Sequence, residues 1–136
     1  MTAPKRVQRK RSKGWRLPPN TRYVGRGTVY GNPFIVGHDT AFERPWAVYW
    51  SDAGPIHSTH PTLEAARAAA VDCFDDWISQ DTLDPNEWSP LLIAGHVRLK
   101  AALAAGELDG LDLCCWCPSA HRCHADVLAR IVGGDV

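Results

Sequence analysis

The first thirty residues contain no acidic side chain, although the whole chain of 136 residues has 15 Asp and Glu. The same thirty residues hold nine of the 15 Lys and Arg residues. The formal net charge of zero therefore hides a basic N-terminal segment and an acidic remainder. Such polarity indicates that the N-terminal segment faces anions, either phosphate groups or the acidic part of the same chain.

Long apolar runs are also absent. No stretch approaches the roughly eighteen uncharged apolar residues of a membrane-spanning helix, and no apolar segment follows the basic N-terminus as it would in a secretory signal. We therefore expect a cytoplasmic protein with no membrane partner. In a reducing cytoplasm, an odd number of cysteines, here five, indicates metal or thiol chemistry more than disulfides.

Strand-like and helix-like segments alternate along the chain, which predicts a small α/β domain with a short, mostly parallel sheet flanked by about three helices. We expect a basic arm over residues 1–13 and a single domain over residues 14–136. Helices are predicted at residues 62–79, 90–105 and 122–132, strands at residues 23–25, 34–36, 46–50 and 111–116, and a loop at residues 51–60.

The segment LCCWCPSAHRCH, residues 113–124, holds four of the five cysteines and two of the six histidines. Cys115, Cys117, Cys123 and His124 form an acceptable zinc set by ligand type. Their spacing is unfavourable, because structural zinc sites usually pair ligands two to four residues apart, and adjacent residues diverge on a regular element. We therefore assign no certain cofactor, and zinc remains the alternative for this set.

A second interpretation of the same segment uses its strand–loop–helix order. The N-terminus of a helix offers free N–H groups and a positive dipole end to an anion, and it lowers the pKa of a cysteine. Cys123 would then be a nucleophile, with Arg122 as a phosphate ligand and His124 or Asp126 as a general acid or base. A third interpretation is that the cysteines only pack in the core.

A series of motifs extends over nearly the whole chain: Arg9-Lys10-Arg11, Gly14-Trp15, Tyr23 to Arg26, Gly31 to Phe34, the helix at 62–77, Leu113 to Pro118 and Cys123 to Leu128. Their order resembles the family described as domain of unknown function 4326, found in bacteria and phages. This chain has Ala125 where the family usually has glycine after the Cys-His pair. The Cys…Cys-His ending is also similar to that of domain of unknown function 488. Neither family description implies an activity.

Two polar positions outside the cysteine segment complete a predicted pocket. Arg26 follows a short strand, and Asn32 lies in the Gly-Asn-Pro turn, where glycine and asparagine let the backbone approach a ligand closely. If these loops meet Cys123, His124 and Asp126 at one edge of the sheet, they would surround an anionic or sugar-bearing ligand. We therefore expect a nucleotide- or nucleoside-type ligand, with a hydrolase or transferase acting on an N-glycosidic or phosphoester bond as the class of enzyme.

The alternative is a nucleic-acid-binding accessory protein. Its basic arm, with Arg9 and Arg11 as phosphate ligands, would grip the backbone, and the cysteine cluster would be structural, with or without zinc. Aromatic residues interleaved with basic ones, such as Trp15 beside Arg16, suit a surface that stacks on bases. The partner is therefore expected to be either a nucleotide-like small molecule or a nucleic acid.

Overall fold

Strands and helices alternate in the computed structural model, which describes residues 4–50, 55–118 and 120–134. Within these residues the chain divides into two compact units, one over residues 4–31 and 98–134 and the other over residues 32–97. In chain order the elements are β1 (Arg6–Gln8), β2 (Thr21–Tyr23), β3 (Ile35–His38), β4 (Trp46–Tyr49), β5 (Ile56–His60), α1 (Leu63–Ser79), α2 (Pro90–Ala104), β6 (Asp112–Cys115) and α3 (His124–Val132).

The first unit is built on a parallel sheet in the order β1-β6-β2. Val7 pairs with Cys114 on one side of β6, and Tyr23 pairs with Cys114 on the other. α3 packs on β6 and β1. Its apolar side supplies Val127 and Leu128 to the buried core, because the helix is strongly amphipathic.

The second unit is built on an antiparallel sheet in the order β3-β4-β5, on which α1 packs. Its core contains Phe34, Val48, Phe74, Trp77 and Ile78, all 2% exposed or less. Phe34 and Trp77 meet edge to face, with ring centroids 6.3 Å apart. The predicted α/β class with three helices is confirmed, and the described strands divide into two sheets, of which one is parallel.

The first two predicted helices are confirmed at both ends. α1 begins after Thr62, whose hydroxyl accepts a hydrogen bond from the Ala65 N–H at 3.1 Å. α2 begins after Ser89, which accepts from the Leu92 N–H at 3.3 Å, and ends before Gly106, whose φ of +74° favours glycine. Residues that can cap a helix therefore stand at the start of both helices and at the end of α2.

Two strands were not predicted. Residues 6–8 of the predicted arm form β1, and residues 56–60 of the predicted loop form β5, so the loop assignment there was wrong. Residues 51–54 of that loop lie outside the described residues. Two of the five residues of β5 are His and one is Ser, and its backbone pairs with β4, which supports the strand conformation of this polar segment.

None of the helices described is both long and apolar enough to cross a membrane.

The cap at Thr62 gives a stability prediction. Replacing Thr62 with Ala leaves the Ala65 N–H without its acceptor and should lower the free energy of unfolding by about 1 kcal/mol. Thr62→Ser keeps an acceptor oxygen and should remain close to wild type. Urea unfolding followed by circular dichroism measures both variants, and equal losses in the two would contradict a capping role.

Candidate functional site

The carboxyl ends of three parallel strands meet at one edge of the first unit. The Arg9 N–H, just after β1, donates to the Cys115 carbonyl at 2.7 Å, and the Val24 N–H, just after β2, donates to the Cys114 carbonyl at 2.8 Å. Trp116 follows β6 directly. Ligands of open parallel sheets bind beyond this edge, and the residues here therefore define a candidate site.

Alternating cationic and aromatic side chains cover this edge. The Arg9 guanidinium lies 4.8 Å from the centroid of the Tyr23 ring and 5.1 Å from that of Trp116. The Arg11 guanidinium lies 4.9 Å from the Trp116 centroid. We call Tyr23, Arg9, Trp116 and Arg11 the stacked cluster. Trp116 remains 39% exposed.

Charge is divided between the two units. The segments of the first unit, residues 1–31 and 98–136, contain thirteen Lys and Arg against five Asp and Glu, a formal net charge of +8. Residues 32–97 contain two against ten, a net charge of −8. The stacked cluster therefore belongs to the basic unit.

The cysteine cluster lies beside the same edge. Cys115 ends β6, and its sulfur lies 3.7 Å from that of Cys117. The Cys123 sulfur lies 3.5 Å from His124 Nδ1. The ligand atoms of Cys115, Cys123 and His124 all lie within 4.8 Å of one another. The structure thus brings together the four residues named for zinc, with Cys115, Cys123 and His124 buried.

Hydrogen bonds within the cluster set the titration of its thiols. The bonds with Cys117 and Cys123 lower the pKa of Cys115, and the bond with Cys115 is the main cause that raises the pKa of Cys123 and of Cys117. The hydrogen bonds within the cluster therefore favour the thiolate form at Cys115 over that at Cys117 or Cys123.

The predicted catalytic residues have structural partners. Cys123 is fully buried and is the N-cap of α3, where its sulfur accepts from the Ala125 N–H at 3.5 Å. Asp126 accepts from the Cys123 N–H at 3.0 Å and pairs with Arg6 at 3.1 Å. His124 Nε2 lies 2.7 Å from the Val24 carbonyl. Catalysis by these three stays a prediction.

Of the other predicted ligand residues, two belong to the first unit and one to the second. Arg26 belongs to the first unit and is exposed, and Arg122 is exposed just before α3. Asn32 belongs to the second unit, where its amide donates to the Ala70 carbonyl at 3.1 Å and accepts from the Phe34 N–H at 2.9 Å. Asn32 thus joins the turn to α1, and its predicted meeting with Arg26 stays a prediction.

Sequence reasoning missed a pocket of about 370 Å³ in the second unit. It lies between α1 and β5, and its lining combines aromatic rings with carboxylates, because apolar and acidic positions of α1 face His-rich β5. Burial is the main cause that lowers the pKa of His60, which keeps this imidazole neutral near pH 7. The lining includes Trp50, Trp88, His57, His60, Asp72 and Asp76.

These features define a class of protein: a small α/β chain whose parallel sheet carries stacked basic and aromatic side chains and a cysteine cluster at its carboxyl edge. The chain belongs to the family described as domain of unknown function DUF4326, whose model matches residues 7–134. The resemblance found in the sequence is therefore confirmed. No curated protein and no solved structure matches the chain.

Cys73 at the pocket gives a prediction of thiol reactivity. Burial, followed by the charges of Asp72 and Asp76, raises the pKa of Cys73 to about 11. Only the thiolate alkylates, so the native rate at pH 8 should be roughly 100-fold below that of the unfolded chain and should rise about tenfold per pH unit until near pH 11. Mass spectrometry of the iodoacetamide-labelled Cys73 peptide measures this, and equal native and unfolded rates would contradict the prediction.

Proposed function

We propose that the first unit binds single-stranded nucleic acid through the stacked cluster. The observation that carries the proposal is the convergence of Arg9, Tyr23 and Trp116 from the ends of three adjacent parallel strands. This is the arrangement in which backbone and side chains meet a ligand at the edge of a parallel sheet.

The stacked arginines are prepared for phosphate. A guanidinium on an aromatic face keeps its N–H donors in its own plane, pointing away from the ring, where they match phosphate oxygens. Among the described residues, neither Arg9 nor Arg11 pairs its guanidinium with a carboxylate. The stack therefore holds the two guanidinium groups in place and leaves their N–H donors available to a phosphate.

The exposed ring of Trp116 supports binding of unpaired bases. Bases stack on aromatic side chains only where they are not enclosed in a duplex, and each such contact contributes about 1–3 kcal/mol. Arginine beside the ring adds cation–π attraction. Together with the net charge of +8 on this unit, these features favour a single strand over a double helix.

Variants of the stacked cluster test the proposal. We expect Trp116→Ala to weaken binding of a fluorescent oligonucleotide by roughly tenfold or more, the loss of about one stacked base. Arg11→Ala should also reduce the salt slope of log K by about 0.7, since one phosphate contact is lost. Fluorescence anisotropy between low and moderate salt measures both quantities.

Arg67→Ala is the matched control, because Arg67 is exposed on α1 in the acidic second unit and its replacement makes the same change in net charge. It should leave affinity and salt slope near wild type. Equal losses in Arg67→Ala and Arg11→Ala would indicate nonspecific attraction and contradict a site at the stacked cluster. So would wild-type binding without salt dependence.

A second candidate function is binding of a nucleoside-type ligand, which the pocket of the second unit favours. Its volume of about 370 Å³ lies in the range of small-ligand sites. The rings of Trp50 and Trp88 would contact a base, and the carboxylates of Asp72 and Asp76 would accept hydrogen bonds from ribose hydroxyls. The same carboxylates would repel phosphate, so we expect a nucleoside to bind better than its monophosphate.

A comparison of a nucleoside with its monophosphate distinguishes this candidate from oligonucleotide binding. A nucleoside should raise the melting temperature more than its monophosphate does, and Asp76→Asn should remove that preference. Asp81→Asn, an exposed carboxylate of the same unit that does not line the pocket, is the control and should retain it. A preference for the monophosphate in wild type would exclude the pocket as the site.

A further inference from the structure

The ligand atoms of Cys115, Cys123 and His124 lie within 4.8 Å of one another, and the Cys117 sulfur lies 3.7 Å from that of Cys115. We propose that these four residues bind one zinc ion as a structural site. Three thiolates with one imidazole are a common structural zinc set, in which protein ligands fill all four positions. The inference is independent of the function proposed above, since its test reads metal content and not nucleic-acid affinity.

Two of the distances between ligand atoms match those around a tetrahedral zinc ion. Bonds of about 2.3 Å to sulfur and about 2.0 Å to nitrogen place two sulfurs roughly 3.8 Å apart and a sulfur and a nitrogen roughly 3.5 Å apart. The Cys115 and Cys117 sulfurs are 3.7 Å apart, and the Cys123 sulfur is 3.5 Å from His124 Nδ1. The atoms of these two pairs thus lie at the spacing that a zinc ion between them requires.

The tautomer of His124 is the one that a metal ligand needs. Its Nε2 donates to the Val24 carbonyl at 2.7 Å, which leaves a lone pair on Nδ1, the nitrogen that faces the Cys123 sulfur. Metal-binding histidines usually donate their second N–H to a carbonyl or carboxylate in this way. Because His124 is only 5% exposed, this orientation is held by the fold.

The backbone around Cys123 removes the objection raised by the sequence spacing. Adjacent side chains diverge on a regular element, but Cys123 is the N-cap of α3, with extended φ and ψ of −145° and 152°, while His124 is the first helical residue. The change of conformation between them lets both side chains turn to the same point. Cys117 lies beyond the end of β6, so its side-chain direction is not set by the alternation of side chains along the strand.

The surroundings also compensate the charge that three thiolates would leave on a bound zinc ion, a net −1. The Ala125 N–H donates to the Cys123 sulfur, and the positive end of α3 begins at the cluster. Arg6, whose side chain is 11% exposed, adds a cation nearby: it donates to the Pro118 carbonyl at 2.8 Å and pairs with Asp126 at 3.1 Å.

Metal analysis of the purified protein tests the site directly. We expect about one zinc per chain after dialysis. Replacement of zinc by Co²⁺ should give the intense visible bands of tetrahedral cobalt together with thiolate-to-cobalt charge transfer. This spectrum reports the ligand set without any variant.

Cys117→Ser removes the least buried ligand and should lower zinc affinity more than about 100-fold, since loss of an outer partner alone costs 10–100-fold. Circular dichroism checks that this variant is folded. Cys73→Ala is the matched control, because it removes a thiol of the second unit, and it should keep about one zinc per chain.

Two results would overturn the inference. One is wild-type protein without stoichiometric zinc when it is prepared under reducing conditions with zinc present. The other is a cobalt spectrum without thiolate charge transfer, which would show metal held at other groups. Zinc binding without oligonucleotide binding would sustain this site and reject only the proposed function.

Discussion

The backbone pairing of β6 with both β1 and β2 is the constraint on which the first unit depends. A strand from near the C-terminus lies between two strands from the N-terminal thirty residues, and hydrogen bonds run to it from both sides. Because all three strands are parallel, the residues that follow them reach the same edge. Separation of this pairing would separate Arg9 and Tyr23 from Trp116 and remove the stacked cluster.

A single hydrogen bond extends that constraint to the cysteine cluster. His124 donates to the carbonyl of Val24, the residue that follows β2, and so the start of α3 is tied to the end of a strand one hundred residues away in sequence. The same bond fixes which imidazole nitrogen faces the sulfurs. Trp116 lies between Cys115 and Cys117 in the sequence. An ion bound by these two cysteines would therefore also restrain the position of the Trp116 ring in the stacked cluster.

The two units differ in net charge and in the kind of ligand that each would suit. The basic unit carries stacked arginines suited to phosphate, and the acidic unit carries a pocket of aromatic rings and carboxylates suited to an uncharged ligand that donates hydrogen bonds. One nucleotide-like partner was expected from the sequence, with Arg26 and Asn32 in one site. The hydrogen bonds of Asn32 to Ala70 and Phe34 give this side chain a role in the turn, and its meeting with Arg26 stays a prediction.

The sequence alone determined the helices, the strong strand at β4, the basic segment and the set of residues able to bind zinc. Thr62, Ser89 and Gly106 act locally through capping and left-handed backbone, so their effect is visible in the sequence. Tertiary structure alone decided that residues 6–8 and 56–60 are strands, because their partners are distant in sequence or their propensity is weak. It also decided the geometry at Cys123 and His124, since a change of backbone conformation between adjacent residues is invisible to any rule based on spacing.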